Sequence, residues 1–169
     1  MLKLIAIAGF VATLSLAAWI EDALPGDPDV VVQPLGFNHQ LHMEEDLSCE
    51  ECHLHAADAA VATLPPTRVC MLCHEEPQGE EPEEPKVREF AELGDYIPWV
   101  VVNKSVGHVY FSHEAHVTWA AMECDECHGD SASATEPFTE SQIDHLDMDA
   151  CMDCHTERGA SNDCIVCHD

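Results

Sequence analysis

Every cysteine in this sequence belongs to one pentapeptide pattern. CEECH (49–53), CMLCH (70–74), CDECH (124–128), CMDCH (151–155) and CIVCH (164–168) account for all ten, namely Cys49, Cys52, Cys70, Cys73, Cys124, Cys127, Cys151, Cys154, Cys164 and Cys167. Disulfides, structural zinc and covalent haem attachment all use cysteine at such density. Thiols two residues apart close only tiny loops, so disulfides between them would constrain the unfolded chain very little. Structural zinc takes four ligands, needs no histidine behind its CxxC knuckle, and would leave one of five pairs without a partner. In C-x-x-C-H the two thiols form thioethers to the porphyrin vinyl groups and the histidine reaches the iron. The repetition therefore predicts five haem c groups, each with its iron.

Five of the twelve histidines are then proximal ligands: His53, His74, His128, His155 and His168. Seven remain: His39, His42, His55, His108, His113, His116 and His145. An imidazole in the sixth position gives a low-spin iron suited to electron transfer, whereas an open position invites ligand chemistry. Seven candidates are enough to close all five positions. "FNHQLH" (37–42) begins its histidines ten residues before Cys49, and "FSHEAH" (111–116) begins its own eleven before Cys124. F-[NS]-H-x-x-H followed by CxxCH is an internal repeat, which divides the chain into two related units. Unit one is 33–74, a connection covers 75–107, and unit two is 108–169. His55 and His108 fall outside the repeat and read as ordinary surface side chains or as displaced ligands.

In this arrangement the sequence resembles the class III multihaem cytochromes c. The resemblance implies that the first His of HxxH ligates the nearest following haem and the second ligates the next. It pairs His39 with His53, His42 with His74, His113 with His128 and His116 with His155. The haem on His168 then takes His145, or Met148 of "HLDMDAC", whose thioether would raise the potential. The segments "LPPTRVCMLCH", "PKVREFAELGDYIPWVVV" and "HVYFSHEAHV" narrow the likeness. With "ECDECHGD" and "LDMDACMDCH" they are similar to the pentahaem subunit of alternative complex III and to the multihaem subunit of related quinone reductase complexes. That family implies an iron–sulfur protein, polytopic quinone-binding membrane subunits, and a mono- or multihaem cytochrome or other redox protein as acceptor. Two departures stand out. Asn103 occupies roughly the place of a family histidine, which makes His108 or His55 a candidate replacement, and the C-terminal "ERGASNDCIVCHD" is short.

"MLK" is followed by a largely apolar run from Leu4 to Ile20 and then by Glu21 and Asp22. Seventeen residues are at the lower limit for a membrane span. Residues 1–22 thus read as an N-terminal transmembrane helix or as a signal sequence cleaved near "SLA". The anchor is favoured, with Lys3 inside. Either outcome puts residues 23–169, the haem domain, on the periplasmic side of the cytoplasmic membrane.

Thirty-three acidic residues against six basic ones give a formal charge of −27. Such a surface repels nucleic acid and anionic head groups and steers cationic redox proteins toward it. A saline habitat would also explain the acidity, and the three lysines fit that. "EEPQGEEPEEP" (75–85) reads as an exposed connection unable to pack. "DYIPWVVV" (95–102) reads as a short strand or a docking surface, with burial favoured.

The expected fold is mostly α with extensive coil and little sheet: two pseudo-repeats wrapped around five haems, with a helical HxxH segment in each. The expected function is electron transfer, not catalysis by this chain, within a membrane quinol-oxidising complex. A free periplasmic or extracellular electron carrier is the alternative. A reductase acting on a small oxyanion such as nitrite would need an open iron position, which the histidine supply disfavours.

Overall fold

Each CxxCH pentapeptide lies in or at the end of a short helix in the computed structural model, which describes residues 31–94, 96–143 and 147–168. The five motif helices are Cys49–Cys52, Thr67–His74, Asp125–His128, Met148–Arg158 and Cys164–Cys167. Their starts are written locally. The Glu51 carboxylate accepts the Ser48 N–H in a capping box, and Asp147 Oδ1 accepts the Ala150 N–H at 2.9 Å. Gly159 ends the longest of them at φ 68°, the left-handed conformation that glycine adopts without a Cβ penalty.

The two HxxH segments differ. His39–Glu44 is an α-helix capped by Asn38 Oδ1, which accepts the Leu41 N–H at 3.0 Å. The second segment runs instead into a π-helix, Ala115–Trp119. Wide turns of this kind concentrate at functional sites. This one closes with Ala121 at φ 52° and a hydrogen bond from Met122 N to His116 O.

Residues 32–169 form one unit with a small apolar core. Leu35, Val87, Ile97 and Met122 are its buried hydrophobics among the described residues. Phe37, Cys70, Met71, Phe90 and Trp99 pack around the first three. Four such residues are too few for a domain of this length, so the peptide itself supplies only a minor part of the interior. No strand occurs among the described residues.

Two expectations need correction. Residues 96–102 of the apolar segment are not a strand: Ile97 is 1% exposed while Val100 and Val101 face outward. A single anchoring residue, rather than alternation, holds it. The acidic run is exposed from 75 to 82 and again at Pro85, but not between them. Glu83 is half-buried and the Glu84 side chain packs away, because Pro85 opens the helix Pro85–Leu93, whose Val87 and Phe90 dock against Thr67–His74. The proposed N-terminal anchor lies outside the described residues; no helix among those residues is long and apolar enough to cross a membrane.

Backbone hydrogen bonds tie the two repeats together. His113 N and Glu114 N donate to Ala60 O and Ala59 O at 3.0 Å, and Gln40 N donates to Ala134 O at 3.1 Å. Gln33 Nε2 reaches both Val100 O at 2.9 Å and Phe138 O at 2.7 Å.

Candidate haem sites

The F-x-H-x-x-H repeat builds the same side-chain cluster twice. Phe37 stacks on His42 at 4.4 Å and 24°, and meets His39 edge-on at 4.7 Å and 85°. Phe111 stacks on His116 at 4.6 Å and 20°, and meets His113 edge-on at 4.8 Å and 89°. One phenyl ring thus sets the planes of two imidazoles. Sequence reasoning saw the phenylalanine only as part of the repeat; its recurrence two residues before each first histidine was the available signal.

The second histidine of each cluster faces a motif histidine. Ring centroids stand 6.2 Å apart for His42 and His74, and 6.1 Å apart for His116 and His155. Two imidazoles bound on opposite sides of one metal ion at about 2.0 Å, with about 1.1 Å from nitrogen to ring centre, have centroids about 6 Å apart. Both spacings fit that requirement. The first histidines lie beside their implied partners as well: burial, then His53 and His42, lower His39 to about 4. Burial, then His113 and His53, lower His128. The rings are thereby kept neutral, the form that binds a metal.

Most of these rings are also held through Nδ1, leaving Nε2 to ligate. Nδ1 of His42 lies 2.7 Å from Asn38 O, that of His116 lies 2.7 Å from Ser112 O, and that of His155 lies 2.8 Å from Ser161 O. His53 meets Thr63 O at 3.2 Å, and His168 meets His108 O at 2.7 Å. His113 Nδ1 is 3.1 Å from Ala60 O and 3.3 Å from Ala62 N. Such contacts fix the tautomer and orientation of a ligating imidazole. His74 meets a carboxylate, Glu84 Oε1, at 2.9 Å. Arg88, then His74, hold Glu84 down to about 2.

Among the described residues, three buried polar atoms have no hydrogen-bond partner: His39 Nδ1, Thr67 Oγ1 and Trp99 Nε1. His39 and Trp99 both flank Phe37, and buried donors ordinarily find acceptors. A carboxylate-bearing macrocycle seated there would provide them. Among the described residues no group of three or more His, Cys, Asp or Glu side chains is placed to hold a metal ion, as a structural zinc site would require.

No disulfide joins any two of the ten cysteines. Burial, then Glu51, Cys49 and Cys73, push Cys52 up, while burial followed by Cys49 pushes Cys124 up. Burial, then Cys154, raises Cys127, and burial, then Cys167, raises Cys151. Neighbouring thiols therefore link motif two to one, one to three, three to four and four to five. Further contacts tie these motifs to their surroundings. Arg158, beyond motif four, pairs with Glu126 in motif three, and Tyr110 N donates to Cys167 O of motif five at 2.9 Å.

The remaining candidates are placed differently. The His55 side chain is 59% exposed and bonds Asp58 at 2.8 Å, as a surface residue would. His108 is exposed, and its carbonyl, not its ring, holds His168. Met148 opens its helix and is 54% exposed. His145 lies outside the described residues.

Short CxxCH helices, imidazoles meeting in twos and a core too small for the chain define a multihaem cytochrome c, an electron-transfer protein carrying haem c. Residues 109–169 match the family described as cytochrome c7 and related cytochrome c. The chain is 30% identical over 160 residues to the multihaem cytochrome c subunit of menaquinone reductase from Nitratidesulfovibrio vulgaris, covering 80% of this chain and 76% of that protein. This chain belongs to the multihaem cytochrome c family of which that subunit is a member.

Proposed function

We propose that this chain is the pentahaem subunit of a membrane complex that exchanges electrons with quinone, oxidising quinol as alternative complex III does or reducing quinone as a menaquinone reductase does. The observation that carries this reading is the likeness to a menaquinone reductase subunit along most of both chains. The axial pairs in this reading are His39–His53, His42–His74, His113–His128 and His116–His155, with His145 or Met148 opposite His168. Each bound haem would exchange one electron between its ferric and ferrous states. The protein's part is to hold paired imidazoles, exclude open coordination positions and set each iron's surroundings. The thiol contacts support an array ordered motif two, one, three, four, five, so that residues 64–93 and 164–168 lie at its ends. Its partners would be an iron–sulfur protein and polytopic quinone-binding subunits, with a mono- or multihaem cytochrome or other redox protein exchanging electrons with the array. Its place would be the outer face of the cytoplasmic membrane, held by the N-terminal segment.

Mild-detergent extraction of native membranes, followed by a native gel stained for haem, tests this reading. Co-migration of the haem band with an iron–sulfur protein and a polytopic membrane subunit is expected. A small haem band running alone would instead make the chain a free carrier.

A further inference from the structure

The surroundings of His74 set it apart. The imidazoles of His42, His53, His116, His155 and His168 lean on backbone carbonyls, which are neutral acceptors. His74 Nδ1 leans on the Glu84 carboxylate at 2.9 Å, in a pocket where Glu84 is only 8% exposed and His74 17%. Arg88 grips that carboxylate with both nitrogens, Nη1 to Oε1 at 2.7 Å and Nη2 to Oε2 at 2.9 Å, and Nη1 also reaches His74 O at 3.3 Å. Gln78 N adds a bond to Oε1 at 3.1 Å, while Gln78 Nε2 holds Cys73 O at 3.0 Å. The loop from 75 to 84 thus folds back onto its own motif to place one buried carboxylate behind one ligand.

We propose that Glu84 sets the potential of the motif-two haem, making it the most strongly lowered of the array, and that Arg88 positions Glu84 and tempers its charge. This rests on His74 being that haem's proximal ligand. A carboxylate accepting the Nδ1–H draws the proton toward itself and makes the imidazole a stronger donor. Stronger donation and a nearby negative charge both favour ferric over ferrous iron. A backbone carbonyl does neither to the same degree. The motif-two haem stands at one end of the proposed array, so the effect biases electrons away from that end toward motif one.

The two residues act in opposite directions, which separates tuning from mere support. Glu84→Gln removes a charge and weakens the acceptor, and Arg88→Gln removes the compensating cation. Redox titration of the purified holoprotein, followed by absorbance and electron paramagnetic resonance, should show one component shifted upward in Glu84→Gln by about tenfold in its reduction equilibrium, about 59 mV for one electron. In Arg88→Gln the same component should move downward. Unchanged components in both variants, or both shifting the same way, overturns the proposal. His74→Ala guards the premise: it should turn one haem high-spin, and a fully low-spin spectrum in that variant would overturn the ligand reading itself. Neither readout depends on the native-gel result.

Discussion

His42 and His74 face one another with ring centroids 6.2 Å apart, and His116 and His155 repeat the arrangement at 6.1 Å, with interplanar angles of 36° and 30°. These pairs come from histidines far apart in sequence, and their spacing is that of two imidazoles sharing one iron. Replacing His116 by Ala should leave one iron five-coordinate and high-spin, seen by electron paramagnetic resonance of the oxidised protein. Replacing the exposed His55 should leave every iron low-spin. A low-spin spectrum for His116→Ala would remove this pair.

Phe111 orients both histidines of its cluster, so its loss should be felt at two haems. Phe111→Ala forfeits a stacked and an edge-on contact, each worth about 0.5–1.5 kcal/mol. Thermal unfolding should fall accordingly, and the low-spin signals assigned to the haems of motifs three and four should broaden or shift. Phe111→Tyr, which keeps the ring, should restore both.

Ile97 is the deepest apolar residue of the described chain, and it joins Leu35 to Val87. Truncating a buried isoleucine to alanine costs about 2–5 kcal/mol. Ile97→Ala should lower the unfolding midpoint of the holoprotein sharply, whereas Val101→Ala, on the exposed side of the same segment, should change it little.

Glu83 accepts from Lys86 and from the backbone N–H of Gly36, and the Lys86 contact, followed by Gly36, lowers its carboxyl below the ordinary value of 4.5. A carboxyl with a depressed folded-state pKa stabilises above the unfolded value and loses that contribution as pH falls through the folded one. The stability gap between the parent protein and Glu83→Gln should therefore be constant from pH 5 to 7 and close as pH drops below about 4. Added salt should narrow it, since the pair is partly exposed.

Asn103 stands where a family histidine was expected, and it has a structural task of its own. Its Oδ1 accepts from Ser141 Oγ at 2.9 Å and from Gln142 N at 3.1 Å, pinning the segment that leads toward His145. Asn103→Ala should cost about 1 kcal/mol per lost bond. Hydrogen exchange at the Gln142 amide should quicken.

The parts legible in the sequence are those that covalent chemistry forces to be contiguous. CxxCH must be contiguous because two vinyl groups and one iron sit at fixed separations, and HxxH recurs because one helical turn presents two rings. What escaped the sequence depends on contacts across the fold. Glu84 sat inside a run whose composition argues against packing, yet Pro85 starts a helix there, and Arg88, one turn on, closes over the carboxylate. The π-helix Ala115–Trp119 left no trace either, because helices of four to eleven residues carry too little periodicity to distinguish one turn type from another. The sequence favours burial of the DYIPWVVV segment, but a strand is the wrong vehicle for it: one side chain, Ile97, and not an alternating face makes the contact.

The central claim is that every CxxCH carries a haem and that every iron is closed by two axial ligands. Pyridine haemochrome quantitation against protein concentration, made on the purified holoprotein together with its oxidised electron paramagnetic resonance spectrum, tests both halves. The account predicts five haem c per chain and low-spin signals alone. A smaller ratio, or a high-spin ferric signal in the intact protein, would contradict it.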